Sequence, residues 1–183
     1  ADNFLTPKFS AAGSGVGTRV LDHLTSGILA IFAGHDSRDE VMAAILPTCL
    51  AEREAANAKR RKPWSAEKVA AKASEDAFTT ALVLEPARWI MGMAGTLRTI
   101  AMEQVPQVLP LWDVYAECLR ARGWSVWTGV LNAANYGVPQ TRRRAVLIAS
   151  LDQKVTRPEP THAETPMPTM EQWEELVKRG GER

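Results

Sequence analysis

The residues best equipped for chemistry are one carboxylate and one basic cluster. Glu103 stands at the end of the apolar run Thr99-Ile100-Ala101-Met102, and Gln140-Thr141-Arg142-Arg143-Arg144 follows Tyr136-Gly137-Val138-Pro139. A carboxylate accepts hydrogen bonds, and clustered arginines bind anions such as phosphates. A second basic cluster, Lys59-Arg60-Arg61-Lys62, suits phosphates or simply a solvated surface. The two thiols are less promising. Cys118 falls on the apolar face of a predicted helix, as a small core residue would, and Cys49 sits in a charged helical stretch. His23, His35 and His162 are far apart and none pairs with a cysteine, so a zinc site is not expected.

These groups have to be positioned by one substantial core, which 183 residues at 45% hydrophobic content can build. Twenty-two basic against twenty-one acidic residues give a net charge of +1, so any nucleic-acid contact has to come from local patches. Two cysteines far apart and no N-terminal apolar segment predict a reducing, cytoplasmic setting. No apolar run reaches the ~18 residues that span a bilayer, so no membrane partner is expected.

The pattern predicts a loop over the first 20 residues, a helix over 19–33, and a helix over 38–58 that bends or breaks near Pro47. Ser37 and Glu40 have the spacing of a capping box. Ser65 starts a further helix to residue 79, rich in alanine and charge with a thin apolar face, which reads as an appendage. From residue 82 shorter apolar runs alternate with helical ones, which predicts an α/β fold with a mainly parallel sheet. Strands are expected at 99–102, 124–131 and 145–149, the last covered on both faces, with a helix over Pro106–Arg122 capped by Gly123. Four prolines between Arg157 and Thr169 predict an irregular tail, after which Thr169 and Gln172 cap a short last helix. The expected organisation is a loop and helix over 1–36, a helical insertion over 37–80, an α/β core over 81–152 and a Pro-rich tail over 153–183.

The segment Tyr136 to Arg144, led by Leu131-Asn132-Ala133 and followed by the strand AVLIA, resembles the G-V-P-Q-x-R-x-R motif of DNA (cytosine-5) methyltransferases. Glu103-Gln104-Val105 resembles that family's Glu-Asn-Val motif with Gln104 for the Asn, and Leu82-Val83-Leu84-Glu85-Pro86 with Arg88 resembles the motif before it. The resemblance covers residues 82–150, with a weaker match at 4–17. It implies a partial, Rossmann-like methyltransferase sheet of about three strands. It also implies that Glu103 holds the ring nitrogen and amine of a flipped cytosine, while Gln140, Arg142 and Arg144 contact the base and DNA backbone.

The chain also departs from that family. Phe9-Ser10-Ala11-Ala12-Gly13 matches the residues after the family's nucleophilic cysteine, and counting back places Thr6 where the cysteine belongs. A threonine hydroxyl, with its far higher pKa, cannot replace a thiolate in attack on the base without a base to activate it. Gly13-Ser14-Gly15-Val16-Gly17 follows no predicted strand, so it does not read as the loop that binds S-adenosylmethionine. The expectation is therefore a truncated, catalytically defective methyltransferase-like module without nucleophile, cofactor site or target-recognition domain, acting by protein or DNA binding. The alternatives are one subunit of a split enzyme, binding S-adenosylmethionine only when a partner chain completes it, and a simple nucleic-acid binder. In a partial sheet the strand at 99–102 has an uncovered edge, which predicts association with another copy or a partner protein unless 38–79 folds over it.

Overall fold

A computed structural model describes residues 16–162 and residues 171, 174, 175, 177 and 178. Among them are helices α1 (Val16–Phe32), α2 (Arg38–Ala58), α3 (Ala66–Ala81), α4 (Glu85–Gly92) and α5 (Leu109–Arg120), and strands β1 (Thr99–Gln104), β2 (Ser125–Asn132) and β3 (Arg143–Ser150). The expected α/β fold with three strands is present. The described residues of the C-terminal stretch are helical, but Thr169 and Gln172 lie outside the described residues. The chain divides into two compact units: the described residues up to Leu131 with Arg143–Arg157, and Asn132–Arg142 with the chain from Pro158.

In the first unit, apolar residues recur every three or four positions and bury one helical stripe after another. Val20, Leu24, Ile28 and Ile31 form the stripe of α1, and Val41, Ile45 and Cys49 that of α2. Alanines 73, 77 and 81 give α3 a flat face on which α2 packs. The α2–α3 segment is no separate appendage: Val41, Ile45, Cys49, Ala73 and Ala77 belong to the same core as α1, α4 and α5. Across the helix pair, the Arg53 guanidinium makes a two-pronged ion pair with the Asp76 carboxylate.

Of the two alternatives at Pro47, a bend or a break, the break is excluded: Pro47 lies inside α2, which runs as one 21-residue helix. A proline forfeits one backbone bond and strains its turn, and Ile45 and Cys49, both fully buried on either side of it, hold the helix by packing. Ser37 does not cap α2 with its side chain. Its buried hydroxyl instead donates to the Gly27 carbonyl (3.0 Å), tying the start of α2 to α1. Ser65, by contrast, does cap α3, accepting from the Lys68 amide at 3.4 Å.

The sheet has the order β1-β3-β2. The β1–β3 pair is antiparallel, in register from Thr99 opposite Ser150 to Gln104 opposite Ala145, and so corrects the expectation of a mainly parallel sheet. The connections account for it: β1 and β2 are joined through α5, long enough for a parallel crossover, whereas only ten residues lead from β2 to β3, fewer than the dozen or more such a crossover needs, so β3, which lies between them, returns against β1. Helix α5 covers one side of β3, where Ala145, Leu147 and Ala149 are fully buried. Val146 and Ile148, on the opposite side, are only half-buried, so this apolar strand is not fully covered on both faces as its composition suggested.

Two buried side chains fasten α5. The Trp112 indole donates to the Ala145 carbonyl at 3.3 Å. The fully buried Tyr115 hydroxyl donates to the Val83 carbonyl (2.8 Å) and accepts from the Ala87 amide (3.1 Å). That amide is in the first turn of α4, where no intrahelical partner exists, so Tyr115 completes that helix start from α5.

Candidate functional site

Strand register brings the first part of the site together. Glu103 is opposite Val146 in the β1–β3 ladder, and Arg144, two residues earlier on β3, shares its face. Diagonal neighbours of this kind are within reach of long side chains. The Arg144 Nε meets the Glu103 Oε2 at 3.1 Å, with the arginine side chain 30% exposed and the carboxylate 56%. A second Arg144 nitrogen donates to the carbonyl of Arg143 at 2.9 Å.

Glu103, but not Arg144, lines a hollow of about 480 Å³. Leu82, Val83 and Pro86 line one part of it, and Met102, Glu103 and Trp112 another. The short 3-10 turn Leu82–Leu84 and α4 supply the first set, and Tyr115 holds both of these elements through Val83 and Ala87. Beyond the hollow, Glu85 accepts from Arg38 (2.8 Å) and Arg88 (3.0 and 3.1 Å), and Arg88 reaches Asp36 at 2.8 Å. The hydrogen bond from Arg38, helped by Arg88, holds the Glu85 carboxyl below the usual carboxylate range despite partial burial. Arg88 thus serves an ion-pair network at the start of α4.

Gln140 and Arg142 belong to the second unit, in the loop between β2 and β3. Both are exposed. The loop closes on one buried side chain: the Asn132 Oδ1 accepts from the Ala134 amide (3.3 Å) and the Arg142 amide (3.1 Å). The Ala133 amide donates to the Arg142 carbonyl at 2.9 Å, completing the closure. Gly137 is needed for its left-handed φ of +87° and for space, since a Cβ there would stand 2.9 Å from the His162 ring. The Tyr136 hydroxyl donates to the Pro158 carbonyl (2.9 Å), and the Asn135 carbonyl accepts from the Thr161 and His162 amides (3.0 Å each). Asn132, which organises this loop, was missed as a site residue in the sequence; its signal is an asparagine two residues before the amide it binds, the Asx-turn pattern.

Neither thiol is presented as a nucleophile. Cys49 and Cys118 are both buried, and burial pushes the Cys118 thiol above its ordinary value, away from the reactive thiolate. Thr6 and the rest of the segment read as the degenerate cysteine motif up to residue 15 lie outside the described residues. Among the described residues no group of three His, Cys, Asp or Glu side chains could hold a metal ion. No described helix is long and apolar enough to cross a membrane.

Residues 98–179 match the family model of the C-5 cytosine-specific DNA methylase. This segment is cytosine-5 DNA methylase-like. The methylase-like segment takes in the whole sheet, Glu103, Gln140, Arg142 and Arg144. It begins after Leu82–Arg88, where the resemblance in the sequence starts, and extends past β3 into the proline-rich tail. No curated protein and no solved structure matches the chain.

Proposed function

We propose that this chain is a cytosine-5 DNA methylase-like module that holds a nucleobase or a partner but does not transfer a methyl group by itself. The observation that carries this reading is Glu103, which lines a hollow and pairs with Arg144, inside the methylase-like segment. A carboxylate next to a guanidinium complements the edge of cytosine: the carboxylate accepts from the ring nitrogen and amine, and the arginine donates to the ring oxygen. Gln140 and Arg142, on their exposed loop, would contact the base or the DNA backbone. Methyl transfer to carbon 5 needs a nucleophile to attack carbon 6, and two buried thiols with threonine at position 6 do not supply one. In this reading S-adenosylmethionine binds only when a partner chain completes its site.

Among the described strands β1 has one neighbour, β3, and the Ala101 side chain on it is exposed. An unpaired strand edge is a template for another chain, and the exposed Phe78, Leu82, Trp89 and Met93 offer apolar surface in the same unit. Self-association through this edge is the form we favour. The same edge supports a second reading, a subunit of a split methyltransferase whose partner brings the cofactor loop and cysteine.

The test combines three measurements on the purified chain. Radiolabelled methyl transfer to cytosine-containing duplex is expected to stay at background, and measurable transfer would overturn the defective reading. Calorimetry should show no S-adenosylmethionine binding by the chain alone. Light scattering after size exclusion should show a species heavier than the monomer as concentration rises; a strict monomer at high concentration removes self-association. Activity restored by a separate chain carrying the glycine-rich loop would decide for the split enzyme.

A further inference from the structure

We infer that the tip of the α2–α3 hairpin is a second contact for nucleic acid, one that grips the phosphate backbone without regard to sequence. Residues 59–68 hold Lys59, Arg60, Arg61, Lys62 and Lys68 against a single acid, Glu67. Five cations less one acid leave +4 in these ten residues, and since the whole chain carries +1, the other 173 carry −3. The hairpin tip is thus one of two basic clusters, with Arg142-Arg143-Arg144, in a chain whose other residues are net acidic.

These cations, like Arg143, Lys154 and Arg157 but unlike six others, stand without an ion pair among the described residues. Arg38, Arg53, Lys72, Arg88, Arg98 and Arg144 each meet a carboxylate within 4.0 Å. The five at the hairpin tip are all exposed, and none of them has a carboxylate of the described residues within ion-pair distance. Crowding unpaired like charges raises the free energy of the free protein, and an anionic partner relieves it.

The tip is also built rather than loose. The Asn57 side chain makes two hydrogen bonds to the Trp64 backbone, accepting from its amide at 2.7 Å and donating to its carbonyl at 3.1 Å. The Arg60 guanidinium lies 4.3 Å and the Lys68 ammonium 4.7 Å from the centroid of the Trp64 ring, so the indole spaces two of the cations. Arg60, Arg61 and Lys62 line an open hollow of about 450 Å³. Below the tip, the Arg53–Asp76 pair clamps the two helices.

Among polyanions, duplex DNA fits better than an anionic bilayer. Trp64, the one aromatic residue at the tip, is half-buried and engaged with Arg60 and Lys68, so it is not presented as the apolar anchor that a membrane-surface element uses. DNA offers one charge per ~1.7 Å of helix axis, dense enough for several adjacent cations to act together.

The experiment is fluorescence anisotropy of a labelled duplex of A·T pairs only, which removes any contribution from cytosine recognition. Binding in the micromolar range at low salt is expected. If four tip cations reach phosphates, the log–log salt slope is about −3.6, or roughly a 150-fold loss of affinity between 50 and 200 mM salt. The variant Lys59→Ala/Arg61→Ala/Lys62→Ala keeps Arg60 and Lys68 on Trp64 and should bring the slope to between about −0.9 and −1.8. Arg61→Glu alone should weaken binding further than Arg61→Ala. All of these side chains are exposed, so thermal midpoints should not change, which separates lost contact from lost fold. Wild-type affinity and slope in the triple variant would overturn the inference, as would binding to vesicles of phosphatidylserine and phosphatidylcholine without binding to the duplex. Because the A·T duplex carries no cytosine, the hairpin contact and the base-holding site fail or stand separately.

Discussion

Tyr115→Phe is the substitution whose consequence can be worked out most fully. It removes one oxygen and leaves the ring, with its edge-on contacts to Phe32 and Trp112 at centroid distances of 5.7 and 5.4 Å, in place. What is lost is the bridge to the Val83 carbonyl and the Ala87 amide. Each hydrogen bond contributes about 1 kcal/mol net, and leaving a buried amide unsatisfied costs about 1–3 kcal/mol. The expected destabilisation is therefore about 2–3 kcal/mol. For a chain of this size that lowers the thermal midpoint by roughly 4–12 °C. With a urea slope of about 2–3 kcal/mol/M, the midpoint should fall by about 1 M with the slope unchanged.

The same hydroxyl makes a pH prediction with a definite sign. Burial raises the Tyr115 phenol above its ordinary value, with its neutral form favoured in the folded state. Its contribution is fully present below the unfolded value of about 10 and is lost as pH rises above it. Urea midpoints of wild type and Tyr115→Phe should thus converge above about pH 10. A midpoint difference below about 0.3 M at pH 7, or one that stays constant to pH 11, would refute the bridging role.

Three further perturbations test the packing and the ion pairs. Gly27→Ala should destabilise by about 1–3 kcal/mol despite the better helix propensity of alanine, because its Cβ would stand 2.6 Å from Val41 Cγ2; a raised thermal midpoint would show that α1 and α2 can separate freely. A double-mutant cycle with Arg53→Met and Asp76→Asn should give a coupling of about 1–2 kcal/mol for this partly buried, two-pronged pair, and a coupling near zero would place the hairpin clamp in packing alone. Glu85, held below its ordinary value by Arg38 and Arg88, contributes stability above an unfolded value of about 4.3 that is lost as pH falls. Arg38→Ala should therefore flatten the dependence of the urea midpoint on pH between 6 and 3, and an unchanged dependence would assign the acid loss to other carboxylates.

Local patterning made most of the elements legible. The i, i+4 stripes of α1 and α2 and the apolar run of β3 are written in residue order, and the helices and strands appear within a few residues of where periodicity puts them. What depends on tertiary partners was not legible. Ser37 and Glu40 have the letters of a capping box, but whether a serine caps its own helix or reaches a carbonyl ten residues away depends on where α1 lies. Tyr115 could be read as core from its spacing, while its role at the start of α4 needs two elements that meet only in the fold. The antiparallel β1–β3 pair was misread because alternating strands and helices suggest parallel crossovers throughout, whereas β3 follows β2 by a loop too short for one and lies between β2 and β1.

The site divides along the same line, and period two explains which arginine pairs with Glu103. Three arginines stand in a row at 142–144, with nothing in composition to choose among them. Side chains along a strand alternate between faces, so residues 144, 146 and 148 of β3 share a face, and the register puts Val146 opposite Glu103. Arg143 points to the other side of the ladder, and Arg142 precedes the strand, where its amide is held by Asn132. The alternate spacing of Gln-x-Arg-x-Arg is thus a strand pattern at its last position and a loop pattern before it. Shifting β3 by one residue would exchange Arg144 for Arg143 beside the carboxylate and turn Ala145, Leu147 and Ala149 away from α5. The buried side of the strand therefore enforces the position of the exposed ion pair.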